Sequence, residues 1–265
     1  MEGGPAYVAA VQRIWDEGDA VAPLPVDAPG PHLKSLLATL DAEVFVDNDG
    51  ERTQLVGGRQ VEDGDALVIA TSGTSGVPKG VVHTHRALEY MAFATSTALG
   101  ADASARWLVA LPLNHIGGFS ILPRALHTGA SLEVLARFEA ARVEAAARAG
   151  ATHTSLVTTA LGRIDAALFE RILLGGSAIP ADRPPNCVAT YGMTETAGGV
   201  VYDGLALNGV SMRIERPDAD GLGEIRIASP TLMRCYRDGT DPVDDEGYLA
   251  TGDLVCVIDA DTIVD

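Results

Sequence analysis

The stretch "ATSGTSGVPKGVVHTH" (Ala70–His85) follows directly on the apolar run "ALVIA" (66–70). The ten residues Ala70–Lys79 hold two Gly, four Ser or Thr, one Pro and one Lys. The apolar run has no polar face, so it reads as a strand buried on both sides. Behind it, a loop of small residues presents backbone N–H groups and hydroxyls in a concave array of the kind that binds phosphate oxygens. Gly73 and Gly76 allow a left-handed backbone and a close approach by a ligand. Pro78 stiffens the loop and Lys79 adds a mobile positive charge. The spacing is not that of a Walker A loop. An ordinary polar strand-to-helix connection can have the same composition, so the rest of the chain has to separate the two readings.

Outward from the loop, strands and helices alternate. "HRALEYMAFATSTALG" (85–100) fits a helix closed by Gly100. "RWLVAL" (106–111), "SLEVL" (131–135), "THTSLV" (152–157), "FERILLGG" (169–176) and "CVATYG" (187–192) read as strands. Helices are predicted in "HIGGFSILPRALHTGA" (115–130) and "FEAARVEAAARAG" (138–150). This alternation predicts an α/β fold with a largely parallel, helix-flanked sheet. Upstream, "AYVAAVQRIWDE" (6–17) and "HLKSLLATLDA" (32–42) read as helices and "EVFVD" (43–47) as a strand. Past Gly199 the texture changes: "GVSMRIE" (209–215), "GEIRIAS" (223–229) and "YLATGDLVCVID" (248–259) are short strands between Gly and Asp turns. They predict a small antiparallel, β-barrel-like region. The expected organisation is one unit over 1–265, with an α/β core at 66–200 and a mostly β part at about 205–265. "DADTIVD" (259–265) reads as a hairpin begun and not completed, which predicts a truncated or naturally short molecule.

Composition narrows the function classes. A chain of 265 residues with 47% hydrophobic residues can bury a sizeable core, and with only 5% aromatics that core is built from Ala, Val, Leu and Ile. The formal charge of −17 repels nucleic acid and anionic membranes. A site for an anion must therefore supply its own local positive potential. Cys187, Cys235 and Cys256 are widely spaced with no CxxC pair, which predicts reduced thiols rather than a disulfide framework or a zinc site. No run approaches the roughly 18 apolar residues of a membrane span. The N-terminus has neither a basic n-region nor an apolar h-region, so the expected location is the cytoplasm. No segment fixes the oligomeric state, and a homodimer stays open.

Four segments, in order, carry a family resemblance. "TSGTSGVPKG" (71–80) resembles the phosphate loop of the adenylate-forming superfamily: acyl-CoA synthetases, adenylation domains of peptide synthetases and luciferase-like enzymes. "LLGGSAIP" (173–180) resembles its adenine-side Gly segment, "YGMTE" (191–195) its nucleotide-binding turn and "YLATGDL" (248–254) its ribose-binding motif. "ALPLNHIGGFSILPRAL", "THTSLVTTAL" and "YGMTETAGGVVYDGLALNGV" are similar to compact o-succinylbenzoate–CoA ligases of actinobacteria, which serve menaquinone synthesis.

The resemblance implies a two-step reaction. A carboxylate attacks the α-phosphate of Mg·ATP to give an acyl-adenylate and pyrophosphate, and the thiol of coenzyme A then displaces AMP. On this reading Thr71, Ser72, Gly73, Thr74, Ser75, Gly76 and Lys79 hold the β- and γ-phosphates. Thr194 contacts the α-phosphate and Glu195 ligates Mg²⁺, a cation that prefers hard oxygen ligands. Tyr191 stacks on adenine within the turn that includes Gly192 and Met193, while Gly175, Gly176 and Ser177 line the ring. Asp253 accepts hydrogen bonds from both ribose hydroxyls. His115 orients the attacking carboxylate, with Gly117 leaving room beside it, and Thr158, Ser177 and Gly199 form the acyl pocket wall. Arg124 and Arg163 are the candidates for a second substrate carboxylate. His83 and His85 lack a third ligand for a metal site.

The chain departs from the family where full members continue into a mobile C-terminal domain that brings a catalytic lysine. The resemblance implies impaired catalysis without that domain. Two further readings stand beside the ligase. One is an aryl or amino acid adenylation domain loading a carrier protein, for which "NHIGGF" offers no acidic partner to a substrate amine. The other is a non-catalytic nucleotide-binding module.

Overall fold

Trp107 and Val109 belong to one buried cluster, Leu108 and Ala110 to another. Successive strand side chains point to opposite faces, so a run without a polar position is what a sheet covered on both sides requires. The same alternation recurs at Ile172 and Leu174 against Leu173.

The computed structural model describes residues 3–71, 78–259 and 262–264. In chain order the elements are α1 (Pro5–Asp16), α2 (Gly30–Leu40), β1 (Val44–Val46), β2 (Arg52–Gln54), β3 (Asp65–Thr71), β4 (Lys79–Thr84), α3 (His85–Leu99), β5 (Arg106–Val109), α4 (Ile116–Phe119), α5 (Ile121–Thr128), β6 (Ser131–Val134), α6 (Ala140–Arg148), β7 (His153–Leu156), α7 (Thr158–Leu161), β8 (Arg171–Leu174), β9 (Cys187–Met193), β10 (Gly198–Tyr202), β11 (Leu205–Ala206), β12 (Ser211–Glu215), β13 (Leu222–Ala228), β14 (Cys235–Tyr236), β15 (Leu249–Asp259) and β16 (Thr262–Val264). Thr84 caps α3, its hydroxyl accepting from the Ala87 N–H at 3.2 Å, and Gly100 closes the helix in the left-handed region at φ 64°. No helix among the described residues is long and apolar enough to cross a membrane.

The main sheet has the order β11-β10-β9-β8-β7-β5-β6. Strands β9, β8, β7, β5 and β6 run parallel, as the alternation predicted, and β10 and β11 add an antiparallel edge. The chain leaves β5 for β6 on one side and returns to β7 on the other, so the strand order reverses at β5.

Two expectations need correction. β3 lies outside the parallel sheet. It pairs antiparallel with β4 across the Ser/Gly-rich loop, with Thr71 opposite Lys79, and β14 adds to the other edge of β4. The loop therefore joins strand to strand rather than strand to helix. Since β14 comes from residues 235–236, the expected division near 205 is crossed by backbone pairing. The later strands form the antiparallel four-stranded sheet β12-β13-β15-β16.

Two arginines fasten β14 in place. Arg234 makes a two-pronged pair with the buried Asp65 at 2.8 and 2.9 Å, and a third contact to Glu62. Such fork-to-carboxylate geometry is the strongest form of ion pair. The buried Arg237 guanidinium donates to the carbonyls of Leu40 (3.0 Å), Asp41 (3.1 Å), Gln60 (3.3 Å) and Arg59. It satisfies the end of α2 and the strand lead-in at once.

Replacing Arg237 by Met keeps an apolar stem but strands those carbonyls. The expected cost is about 3 kcal/mol of unfolding free energy, read as a lower urea midpoint with an unchanged slope. A midpoint matching wild type would mean that the arginine is not a structural tie.

Candidate active site

The parallel strands β5, β7, β8 and β9 end on the same edge of the sheet. Open α/β sheets take ligands outside the carboxyl ends of their strands where the strand order reverses. The segments leaving those ends are the ones singled out in the sequence. His115 and Gly117 follow β5, Thr158 follows β7, Gly175, Gly176 and Ser177 follow β8, and Thr194 and Glu195 follow β9.

The turn after β9 is held from inside and outside. Thr194–Thr196 form one 3₁₀ turn, and Ala197 takes the left-handed φ of 57° that sends β10 back along β9. The buried Thr196 hydroxyl accepts from the Met193 N–H at 2.9 Å and faces the carbonyls of Met193 (3.0 Å) and Gly198 (2.7 Å). A side chain at Gly192 would collide with the Gly198 carbonyl. From outside, the Met233 N–H donates to the Glu195 carbonyl at 2.8 Å. His83 Nε2 lies 2.7 Å from the Thr194 carbonyl. A carbonyl only accepts, so Nε2 carries the proton and the buried Nδ1, which has no partner among the described residues, does not. Burial, opposed in part by this hydrogen bond, pushes the His83 pKa from 6.5 down to about 4.

The side chain of Glu195 accepts from Tyr236 Oη at 2.9 Å through Oε1. Burial, then the Glu195 charge, pushes the Tyr236 pKa up, so the phenol keeps its proton and donates. Lys79 Nζ sits over the same ring, 4.3 Å from its centre. Thr71 Oγ1 lies 3.5 Å from the Lys79 carbonyl at the neck of the β3–β4 hairpin. Ser72, Gly73, Thr74, Ser75 and Gly76 lie outside the described residues.

Tyr191 and Asp253 also meet, the phenol donating to Asp253 Oδ2 at 2.8 Å across 62 positions of sequence. The partly buried Tyr191 ring packs against a cluster containing Val200, Val201 and Ile225. Gly175 leaves no room for a Cβ beside the Thr190 hydroxyl, and Gly176 has a φ of 81°. Ser177 Oγ is 3.4 Å from Thr158 Oγ1, which in turn is 3.3 Å from the Ala178 carbonyl, so these two expected wall residues are neighbours. A Cβ at Gly199 would meet the Tyr202 ring at 2.8 Å, so its smallness serves packing between β9 and β10. His115 stands exposed at the start of α4 beside Asn114, and Gly117 next to it has ordinary space around it.

The two candidate arginines differ sharply. Arg163 lies over the Phe138 ring at 5.0 Å. Arg124, on α5, is 2% exposed, and its Nε and Nη1 have no hydrogen-bond partner among the described residues. A Cβ at Gly198 would lie 3.8 Å from its Nη2, which places the guanidinium behind the Thr194–Thr196 turn. Burial pushes its pKa down.

No group of three or more His, Cys, Asp or Glu among the described residues is arranged to hold a metal ion. Glu195 does fit a cation that brings most of its own ligands, because Tyr236 engages only one of its two oxygens. Mg²⁺ bound through one carboxylate, substrate phosphates and water is of that kind. His83, Thr196 and Tyr236 are the residues the sequence reading missed. The "RCYR" segment, with two cations flanking a tyrosine in an acidic chain, was the available signal for the last.

The family model described as AMP-binding enzyme matches residues 36–237. A probable 2-succinylbenzoate–CoA ligase of Mycobacterium tuberculosis is 38% identical over 222 residues, covering 74% of this chain and 56% of that protein. The 2-succinylbenzoate–CoA ligase of Escherichia coli is 31% identical over 284 residues, covering 94% and 61%. Among solved structures, an E. coli MenE variant with bound OSB-AMS matches with a TM-score of 0.82 and 27% identity, over 100% of this chain and 65% of that one. The Bacillus subtilis o-succinylbenzoate CoA synthetase in complex with the acyl-adenylate intermediate OSB-AMP matches with a TM-score of 0.69 and 28% identity, over 78% and 65%. The chain thus spans between half and two thirds of the length of these relatives.

The buried His83 sets a pH dependence. Its folded pKa of about 4 lies below the ordinary 6.5, so between those values the unfolded chain binds more protons. Stability is therefore undiminished above pH 6.5 and falls as the pH drops toward 4, by up to about 3 kcal/mol. Urea unfolding from pH 7.5 to 4.5 should show this decline. His83→Gln, which retains a donor for Thr194, should flatten it relative to wild type.

Proposed function

Because the chain belongs to the AMP-binding enzyme family, we propose that it supplies the nucleotide- and acid-binding part of an AMP-forming acid–CoA ligase acting on o-succinylbenzoate. The observation that carries this reading is the meeting of Lys79 and Glu195, a cation and a carboxylate 116 positions apart, on one tyrosine at the carboxyl edge of the sheet. Two anions must approach each other for a carboxylate to attack a phosphate, and preorganised opposite charge is the main means of allowing it.

In the first step a substrate carboxylate oxygen forms a bond to the α-phosphorus of ATP, and the bond to pyrophosphate breaks. In the second, the sulfur of coenzyme A attacks the acyl carbon and AMP leaves. Lys79, together with Thr71 and the loop between them, holds the departing phosphates. Thr194 lies against the α-phosphate, and Glu195 would hold Mg²⁺, which would supply charge neutralisation for the leaving group. Tyr191 and Asp253 take the adenosine end, with Gly175 and Gly176 leaving space for the base. His115, exposed after β5, orients the acid beside Thr158 and Ser177.

The choice of acid rests on Arg124. A buried guanidinium with two unpartnered nitrogens is costly unless an anion completes it. A dianionic acid such as o-succinylbenzoate brings a second carboxylate for that purpose. The relatives named for this substrate, and the structures holding OSB-AMS and OSB-AMP, support the same choice. The reading takes the protein as a soluble enzyme in the cytoplasm, with a homodimer left open.

Pyrophosphate release should be fastest with o-succinylbenzoate among a panel including benzoate and fatty acids. Arg124→Met should raise the KM for o-succinylbenzoate at least about tenfold, the worth of one charge-assisted contact, while leaving ATP affinity unchanged. Lack of ATP binding by the wild-type protein would refute the reading. An unchanged acid preference in the variant would move the second carboxylate elsewhere.

A further inference from the structure

Lys79 and Glu195 do not pair with each other: among the described residues neither is in an ion pair, although both touch Tyr236. A flexible ammonium and a nearby carboxylate gain energy by meeting, so their separation needs a cause. Tyr236 engages both at once, offering its hydroxyl proton to the carboxylate and its ring face to the ammonium. The phenol itself is fixed. Its backbone pairs with Val81 of β4, its N–H donates to the Thr240 carbonyl at 2.8 Å, and the arginines two before and one after it are tied to Asp65 and to the carbonyls beyond α2.

We propose that Tyr236 is a positioning residue that holds the Lys79 ammonium and the Glu195 carboxylate apart, so that each meets the nucleotide as a free charge. This rests on the reading of the site given above. Without the phenol the two would neutralise each other, and that pair would have to open each time a triphosphate and its cation bound. With it, one carboxylate oxygen is engaged by a neutral donor and the other is left for the cation.

The chain has only two lysines, Lys34 and Lys79, which makes the arrangement directly observable. In protein methylated with ¹³C on its lysines, the Lys79 signal should be shifted upfield by the Tyr236 ring current relative to Lys34. Tyr236→Phe should keep that shift and Tyr236→Leu should abolish it. In unmodified protein, calorimetry should find the Mg²⁺ concentration needed for half-maximal ATP binding raised about tenfold in Tyr236→Phe. ATP affinity without Mg²⁺ should be unchanged in that variant and weakened in Tyr236→Leu. An unshifted Lys79 signal in wild type, or an unaltered Mg²⁺ requirement in the folded Phe variant, overturns the proposal. If wild type shows the ring shift but binds no Mg·ATP at all, the reading of the site falls and takes this role for Tyr236 with it.

Discussion

The short strand Cys235–Tyr236 lies on the edge of β4 because Arg234 is forked onto a carboxylate, Asp65, that is 1% exposed. A buried charge left alone would be prohibitive, so the two residues, 169 positions apart, have to be in place together. The contacts around Glu195 descend from that fastening. It sets Tyr236 against Glu195 and Lys79, and it brings the Met233 N–H to the Glu195 carbonyl. On the opposite side of the turn, His83 reaches the Thr194 carbonyl from β4, the same strand that β14 grips. The turn after β9 is thus clamped by one small sheet that is separate from the sheet it belongs to.

This arrangement reconciles the net charge of −17 with a site for anions. The surface field of such a protein discourages a polyphosphate. On the proposed reading the site answers locally, with a lysine that is in no ion pair among the described residues and a buried guanidinium whose Nε and Nη1 have no hydrogen-bond partner among them.

Much of the fold was legible because hydrophobic periodicity is local information. The strands at 106–109 and 171–174 stood out as apolar runs, and Gly100 marked the end of its helix. The pairing of β3 was misread because the partner strand, "KGVVHT", was taken with the loop before it; Val81, Val82 and Thr84 are β-branched, and two strands flanking a Gly-rich loop also describe a hairpin. The candidate site was legible to the extent that its chemistry sits in short motifs, as with Lys79, Thr194, Glu195 and Asp253. His83, Thr196 and Tyr236 were not, because their significance lies in contacts across the chain. Nothing within five residues of Tyr236 announces Glu195 as its partner.

The long reach of these contacts also orders the birth of the molecule. Lys79 leaves the ribosome before Glu195, and Tyr236 and Asp253 follow later still. Domains generally begin to organise from their N-terminal end during synthesis, and pairings of large sequence separation form slowly. The parallel strands can therefore assemble on a nascent chain that still lacks Tyr236, Asp253 and the arginine that fastens β14. A ribosome-bound fragment ending before residue 234 would carry the parallel strands without the contacts that hold Tyr236 against Glu195 and Lys79.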